Sequence, residues 1–541
     1  MAGPPVAETR AALKDAIDQQ NFSAFDDRYH AFLNSYDLYR NQDTSLRQGV
    51  ETFTNPIFGQ ASKYHLYTTP ESEAAPMIAR ARAASAILAE LPMKERAKLL
   101  RAVQKRIEAR GREIETTITA DTGKPINLAE GEMTKGKAWF DWAYANADGQ
   151  VGQLNGRRKP AGAVQVIGAY NYPYALAIGG IVGGLAAGNG VIVSAPKKAP
   201  HWVFPFMQAA QEGLEDYLKA KGVTSGKVAE KLRAGLFQAS FGVNPKLTSQ
   251  VDVVHFVGSD TVGHLIEKSR PGKRTILEMG GTNVVTVLDS AIGAPDNKGK
   301  PMTAQSIAAS IYGGFGPASG QRCTAPRILC VQNGAETTKV IAELGKLCER
   351  DFHEHKLGNP FIGGKDGTQM GPLADRETYA AMQKAIATAK DMGATVAYAG
   401  ELNPNQFPLA RGGCWTTPVM IDWSNVPPER MNDAYKLMKH EIFGPLIHVV
   451  KPVATAQEAI AFTNLIDNVN KLAGSVYSKD VADADHFQKA TNVTSMKHNE
   501  PPKDMSPEQY HGHPDRLRIG GGTHFELYTQ GPVMQQGRRF D

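Results

Sequence analysis

Residues 164–193 constrain the fold more than any other part of this chain. Val164-Gln165-Val166-Ile167-Gly168 reads as a buried strand, residues 174–187 as a helix rich in small residues, and Gly190-Val191-Ile192-Val193 as a second buried strand. Strand, helix and strand in close succession form a βαβ unit, which demands a parallel sheet covered by helices. The same stretch is too broken to span a membrane. Asn171, Pro173, Asn189 and six glycines from Gly179 onward interrupt it, whereas a span needs ~20 nearly continuous apolar residues. Further strands are expected at 251–257, 275–278 and 284–288. The predicted fold class is therefore α/β.

With 541 residues, the chain is long enough for two or three domains. Residues 1–65 are polar but carry Phe22, Phe25, Tyr29, Phe32, Tyr36 and Tyr39, and read as an N-terminal extension packed on the body. Apolar residues recur at helical spacing over 71–119, as in Leu99, Leu100, Val103 and Ile107, and Asp121-Thr122-Gly123-Lys124-Pro125 stops that helix. Residues 291–303 form a polar insertion. The tail, 498–541, is rich in Pro, His, Gly and Arg and reads as loops with one late strand.

Charge and cysteine usage narrow the function. The net charge is +5, and the basic clusters, Arg157-Arg158-Lys159 and Lys197-Lys198, lack the interleaved aromatics of a nucleic-acid stripe. They read as solvated surface, so no nucleic-acid partner is expected. Cys323, Cys330, Cys348 and Cys414 form no CxxC pair, which favours a reducing compartment. The N-terminus shows no apolar core of a secretory signal, and a cytoplasmic location with no membrane partner is the expectation. His511-Gly512-His513, His498 and His524 read as loop surface, and no metal is expected.

Five short segments carry chemistry. In Gly320-Gln321-Arg322-Cys323-Thr324, a thiol among small neighbours becomes a nucleophile if a cation or helix N-terminus stabilises its thiolate. In Leu277-Glu278-Met279-Gly280-Gly281, a carboxylate leaves a strand at the end where parallel sheets place ligands; burial there suits it to general-base work. In Tyr170-Asn171-Tyr172-Pro173, a neutral amide can donate to a developing oxyanion. In Phe256-Val257-Gly258-Ser259-Asp260-Thr261-Val262-Gly263, glycines at a strand-to-helix turn let backbone N–H groups reach a pyrophosphate. In His440-Glu441-Ile442-Phe443-Gly444-Pro445, a carboxylate and an aromatic on a tight loop suit a ribose and a flat ring. Taken singly, each has an ordinary structural reading: a buried cysteine, a surface glutamate, a turn asparagine, a plain strand-to-helix turn, a charged turn.

Together and in this order, the five segments closely resemble the aldehyde dehydrogenase superfamily over residues 71–493. Gly123-Lys124-Pro125, Gly188-Asn189 and 464–477 add to the match. The resemblance implies a Rossmann-like cofactor domain over 66–281, interrupted by an oligomerisation hairpin near 145–161, a catalytic α/β domain over 282–495, and a tail over 496–541 contributing to oligomer and substrate-tunnel contacts. It also implies a homodimer or homotetramer acting on a small aldehyde. Cys323 would attack the carbonyl, Asn171 and the Cys323 backbone N–H would form the oxyanion hole, and Glu278 would activate water to hydrolyse the thioester. Glu441 would hold the nicotinamide ribose with Phe443 beside it. Gly258, Ser259 and Gly263 would face the pyrophosphate, and Ile167 and Tyr170 would line the groove.

The chain also departs from the family pattern. Where relatives carry Lys-Pro-Ser-Glu or similar, this sequence reads Ser194-Ala195-Pro196-Lys197. Ser194 replaces a ribose-contacting Lys, and Lys197 replaces the Glu that holds the 2′-hydroxyl, so NADP is favoured over NAD. Glu278 and Cys323 lie 323 − 278 = 45 residues apart, longer than is usual, with the Pro/Gly-rich stretch near 294–301 as the excess. The usual Pro-Phe-Gly-Gly segment is replaced by 517–525. The long N-terminus and the tail resemble the branch acting in aromatic-acid degradation. Two alternatives stand: a CoA-acylating semialdehyde dehydrogenase, which typically lacks the Glu at position 278, and a catalytically silent relative.

Overall fold

The computed structural model describes residues 5–40, 50–145, 159–365, 367–466, 472–491, 493–502 and 529–530. Most of the predicted hairpin at 145–161 and nearly all of the tail, including 517–525 and His511, His513 and His524, lie outside them.

Two sheets organise the described chain. The first is built from β4 (Ala163–Ile167), β5 (Gly190–Ser194), β6 (Phe237–Ser240), β7 (Val253–Gly258) and β8 (Arg274–Met279). All its pairings are parallel, in the order β6-β5-β4-β7-β8. The chain moves outward from β4 to β6 on one side and resumes at β7 on the other, so a switch point falls between β4 and β7, where α/β sheets open a crevice at the strand C-termini. The second sheet has the order β11-β12-β13-β10-β9-β14-β15. It comprises β9 (Asn283–Val287), β10 (Pro326–Val331), β11 (Thr395–Ala397), β12 (Val419–Asp422), β13 (Leu446–Val449), β14 (Ala473–Tyr477) and β15 (Ser495–His498). Only β11 runs antiparallel, against β12. The chain passes from the first sheet to the second between Met279 and Asn283.

The βαβ unit forms as its sequence demands. The helix Pro173–Ala186 connects the paired strands β4 and β5 and starts on Pro173 in its first turn, where the missing N–H costs nothing. That helix is buried almost all round, and its glycines let it approach its neighbours: a Cβ on Gly179 would lie 2.9 Å from the Trp139 ring. The single long helix expected over 71–119 is instead a short 3-10 turn followed by three helices, Ala74–Ala89, Met93–Ala109 and Gly111–Thr122. Pro92 lacks the N–H that continuity needs, and Arg110 leaves the helical region at φ −101°.

The N-terminal extension packs on the body through its aromatics. Phe25, Tyr29, Phe32 and Tyr36 are buried. Tyr29 donates to Asp121 Oδ1 at 2.7 Å, which also lies 2.7 Å from His201 Nδ1. A hairpin, β1 (Val50–Asn55) with β2 (Gln60–Tyr67), follows. At the other end of the chain, β16 (Thr529–Gln530) pairs antiparallel with β3 (Lys159–Pro160). The insertion at 291–303 is irregular and lies against the end of β15, where Asn499 Nδ2 donates to Pro295 O at 3.5 Å.

Candidate active site

The C-terminal ends of β4, β5, β7 and β8 converge on one cleft of about 730 Å³. Its wall includes Ile167, Tyr170, Asn171, Ser194, Lys197, Gly258, Ser259, Glu278, Cys323, Glu441 and Phe443. The structure therefore brings together every site residue singled out from the sequence except Gly263. That glycine is set back from the wall, where a Cβ would come 2.4 Å from Met279 Sδ. Its role is to let the helix Asp260–Lys268 close onto β8.

Cys323 sits half-exposed on a turn that leads into β10. The other three cysteines are buried, and burial pushes Cys330 up to about 12 and Cys414 up to about 11, with Cys348 raised for the same reason. Thiols held that far above neutrality stay protonated and inert. The turn before Cys323 is unusual: Ala318, Ser319 and Gly320 all have positive φ, at 57°, 53° and 64°. For the two non-glycine residues this costs on the order of 1 kcal/mol each or more, and the surroundings hold them there. Ser319 Oγ donates to Gly371 O at 2.6 Å, and Gly320 leaves no room for a Cβ against Gly444 O, at 2.4 Å.

Three residues that sequence reasoning missed fix this turn. Asn283 Nδ2 donates to Cys323 O at 2.7 Å and to Ala325 O at 2.9 Å, tying the Cys323 backbone to the start of β9. Arg327, buried on β10, donates to Gly320 O at 2.8 Å and to Gly444 O. Burial lowers its hold on a proton, against which Glu441, Tyr170 and Cys323 act. Arg327 is thus a cation in the field of the thiol, and no helix N-terminus lies at Cys323. Gln321 spans the third side, accepting Asn171 Nδ2 on its backbone oxygen at 3.0 Å and Ala374 N on its side chain at 2.9 Å. Each of these acts through contacts made far along the chain, which no local pattern signals.

Asn171 is buried, and its own backbone oxygen accepts from Lys124 Nζ at 3.0 Å. Lys124 pairs with the fully buried Glu132 at 2.7 Å, and Glu132 accepts the Tyr174 and Ala175 N–H groups at the start of the helix Pro173–Ala186. One buried ion pair therefore satisfies a helix N-terminus and seats the asparagine turn. Glu278 is 6% exposed at the end of β8, and its Oε1 lies 3.2 Å from His255 Nε2.

Glu441 occupies the rim. Gly280 is bare because a Cβ there would lie 2.7 Å from Glu441 Oε2. Among the described residues Glu441 Oε1 has no hydrogen-bond partner, and Arg327 stays 3.9 Å away. Burial pushes this carboxyl up to about 7, with Arg327 opposing. An orphaned acceptor facing a roomy cleft fits a hydroxyl-bearing ligand such as a ribose. Phe443 stands edge-on to Tyr170, ring centroids 6.0 Å apart. At the far end, Val243, Val262 and Leu265 are exposed and apolar, as a slot for a flat base requires. Between the two ends, Ser259 caps the helix Asp260–Lys268 by accepting from Val262 N. The residues present thus fit a dinucleotide. Lys197 is exposed, while Ser194 is buried and accepts from Gln165 Nε2 at 2.9 Å. Lys198, also on the wall, pairs with Asp375 at 2.7 Å.

A parallel sheet, a switch-point cleft and a thiol, amide and carboxylate on its wall define a nucleotide-dependent α/β enzyme. A family model described as "Aldehyde dehydrogenase family" matches residues 47–514, and the chain belongs to that family. It is 31% identical over 419 residues to the N-succinylglutamate 5-semialdehyde dehydrogenase of Chromobacterium violaceum, covering 74% of this chain and 75% of that protein. Among solved structures it resembles an NADP-dependent glyceraldehyde-3-phosphate dehydrogenase from Bacillus halodurans C-125 complexed with NADP, with TM-score 0.70 and 22% identity over 89% of this chain and 94% of that one. It also resembles a betaine aldehyde dehydrogenase from Staphylococcus aureus in complex with NAD+, with TM-score 0.71 and 21% identity over 89% and 91%. The chain's general activity is accordingly NAD(P)-dependent aldehyde oxidation. No helix among the described residues is long and apolar enough to cross a membrane.

Proposed function

We propose that this enzyme oxidises its aldehyde to the free carboxylic acid through a thioester on Cys323. The observation that carries the reading is that Asn171, Glu278 and Cys323 share one cleft wall with Glu441. The Cys323 thiolate adds to the carbonyl carbon, and the Asn171 amide and the Cys323 N–H hold the resulting oxyanion. A bound nicotinamide supplies the hydride acceptor. Glu278 then takes a proton from water as the water oxygen bonds to the acyl carbon and the C–S bond breaks. Among CoA-acylating relatives the corresponding carboxylate is typically absent, so Glu278 favours hydrolysis. Product analysis with and without CoA separates the two: free acid at equal rate in both supports this reading, and an acyl-CoA product refutes it.

Glu441 holds the nicotinamide ribose in this reading, and its titration sets a pH dependence. Ribose hydroxyls donate best to the ionised carboxylate. With its pKa raised to about 7, the group is ionised above that value and protonated below it. Cofactor affinity is therefore expected to fall as pH drops through about 7 and to level off above it. Cofactor dissociation constants measured by fluorescence between roughly pH 5.5 and 9 check this, and Glu441→Gln should flatten the profile.

NADP is the favoured cofactor. Lys197 stands exposed on the cleft wall and also lines an adjoining cavity of about 260 Å³ against the β1–β2 hairpin, which gives a 2′-phosphate both charge and room. Lys197→Glu should lower the kcat/KM ratio for NADP over NAD by roughly 10-fold or more, as loss of a charge-assisted contact and gain of a repulsive one imply. An unchanged ratio would remove the basis for the preference.

Homo-oligomerisation is the partner reading that the family resemblance implies. The aldehyde is best sought with a panel of aliphatic semialdehydes and aromatic-acid ring-cleavage semialdehydes.

A further inference from the structure

The strand β7 buries a histidine that the reaction, as described above, does not use. His255 is fully buried and is not among the residues that line the cleft. The helix Pro173–Ala186 makes room for it with a glycine: a Cβ on Gly180 would lie 2.8 Å from the ring's Cγ. In the parallel register, His255 stands opposite Ile276 and Val257 opposite Glu278, so alternate residues place His255 and Glu278 on the same face, two positions apart. The ring bridges that diagonal, bringing Nε2 to 3.2 Å from Glu278 Oε1. A buried imidazole costs desolvation unless its nitrogens are used, and here one is spent on the carboxylate that faces the cleft.

We propose that His255 is a positioning residue for Glu278. Its Nε2–H donates to Oε1, fixing the carboxylate plane from which the proton of the hydrolytic water is taken. No proton passes to the histidine. A base held by a hydrogen bond from behind attacks from one geometry instead of sampling several, and misplacement by about 1 Å costs on the order of 10²-fold in rate. The role concerns hydrolysis alone: thiolate addition and hydride transfer do not pass through Glu278. The proposal rests on the reading of Glu278 as the base for thioester hydrolysis.

The test pairs His255→Asn with His255→Gln in the full-length enzyme with saturating NADP and aldehyde. Both side chains fit the slot opposite Gly180, but only the Gln amide reaches Glu278. Rapid-quench measurement of the first-turnover burst reports thioester formation, and the steady-state rate reports hydrolysis. H255N is expected to keep the burst amplitude and burst rate within about threefold while hydrolysis falls roughly 10- to 100-fold, with the KM for the aldehyde falling alongside kcat. H255Q should restore hydrolysis to within about threefold of wild type. Asn and Gln behaving alike, whether both active, both slow or both lacking the burst, would overturn the assignment. Glu278→Gln in parallel separates the two levels. If that variant hydrolyses normally, the reading of Glu278 fails; if it stalls while H255N does not, only the role of His255 fails.

Discussion

Replacing Cys323 with Ala is expected to reduce aldehyde oxidation by at least roughly 10⁴-fold, with NADP binding and melting temperature unchanged. The size follows from chemistry that has no substitute. Without the sulfur no covalent adduct forms, and the aldehyde's hydrogen is never presented as a hydride donor in fixed geometry. No other thiol can step in, because Cys330, Cys348 and Cys414 are buried and held protonated. The specificity of the loss matters as much as its size. Cys323 is tied through its backbone oxygen to Asn283, so removing only the side chain leaves the turn in place. Steady-state assays with fluorescence titration of NADP check both halves. A variant retaining even a tenth of the activity would show that the reaction runs without this thiol.

The second large effect is expected at Glu278. Glu278→Gln keeps size and a hydrogen-bonding oxygen but removes the base. Thioester formation should proceed at nearly the wild-type rate, giving a burst of reduced cofactor equal to the enzyme present. Turnover should then fall by about 10³-fold, in the range that general-base catalysis supplies. Added hydroxylamine, which attacks the thioester without needing a base, should recover turnover. Loss of the burst itself would mean that Glu278 acts before the thioester forms, and the order of steps proposed above would be wrong.

The sequence exposed the site better than it exposed the site's supports, for a physical reason. Asn171, Glu278, Gly258 and Ser259 each lie at or just beyond the C-terminal end of a parallel strand, and a strand followed by a glycine-bearing turn leaves a local trace. β4, β5, β7, β8 and β9 were likewise legible as short apolar runs, because strands buried on both faces have no polar side to break them. The supports leave no such trace. Arg327 reads as an ordinary strand residue until its guanidinium is seen spanning Gly320 and Gly444. Lys124 belonged to a helix-stopping segment, and only the fold shows it paired with Glu132 beneath Asn171. Gly263, a glycine in a phosphate-like motif, also has Met279 close behind it, a packing demand that its local pattern does not signal. The helical periodicity over 71–119 correctly indicated helix but not the breaks at Pro92 and Arg110, which depend on how the pieces cross their neighbours.

The arrangement also explains why the nucleophile's turn tolerates strain. Ala318 and Ser319 hold left-handed conformations because Gly371, Arg327 and Gln321 hold the loop from three sides. These contacts offset the conformational cost of the turn and hold Cys323 on the cleft wall.

One sulfur, that of Cys323, is expected to carry the acyl group. The most direct measurement is the intact mass of the Glu278→Gln enzyme, acid-quenched within a single turnover of NADP and aldehyde, followed by peptide mapping. A mass increase equal to the acyl group, confined to the peptide bearing Cys323, is the predicted result. An unmodified Cys323 peptide after full reduction of one equivalent of cofactor would contradict the account.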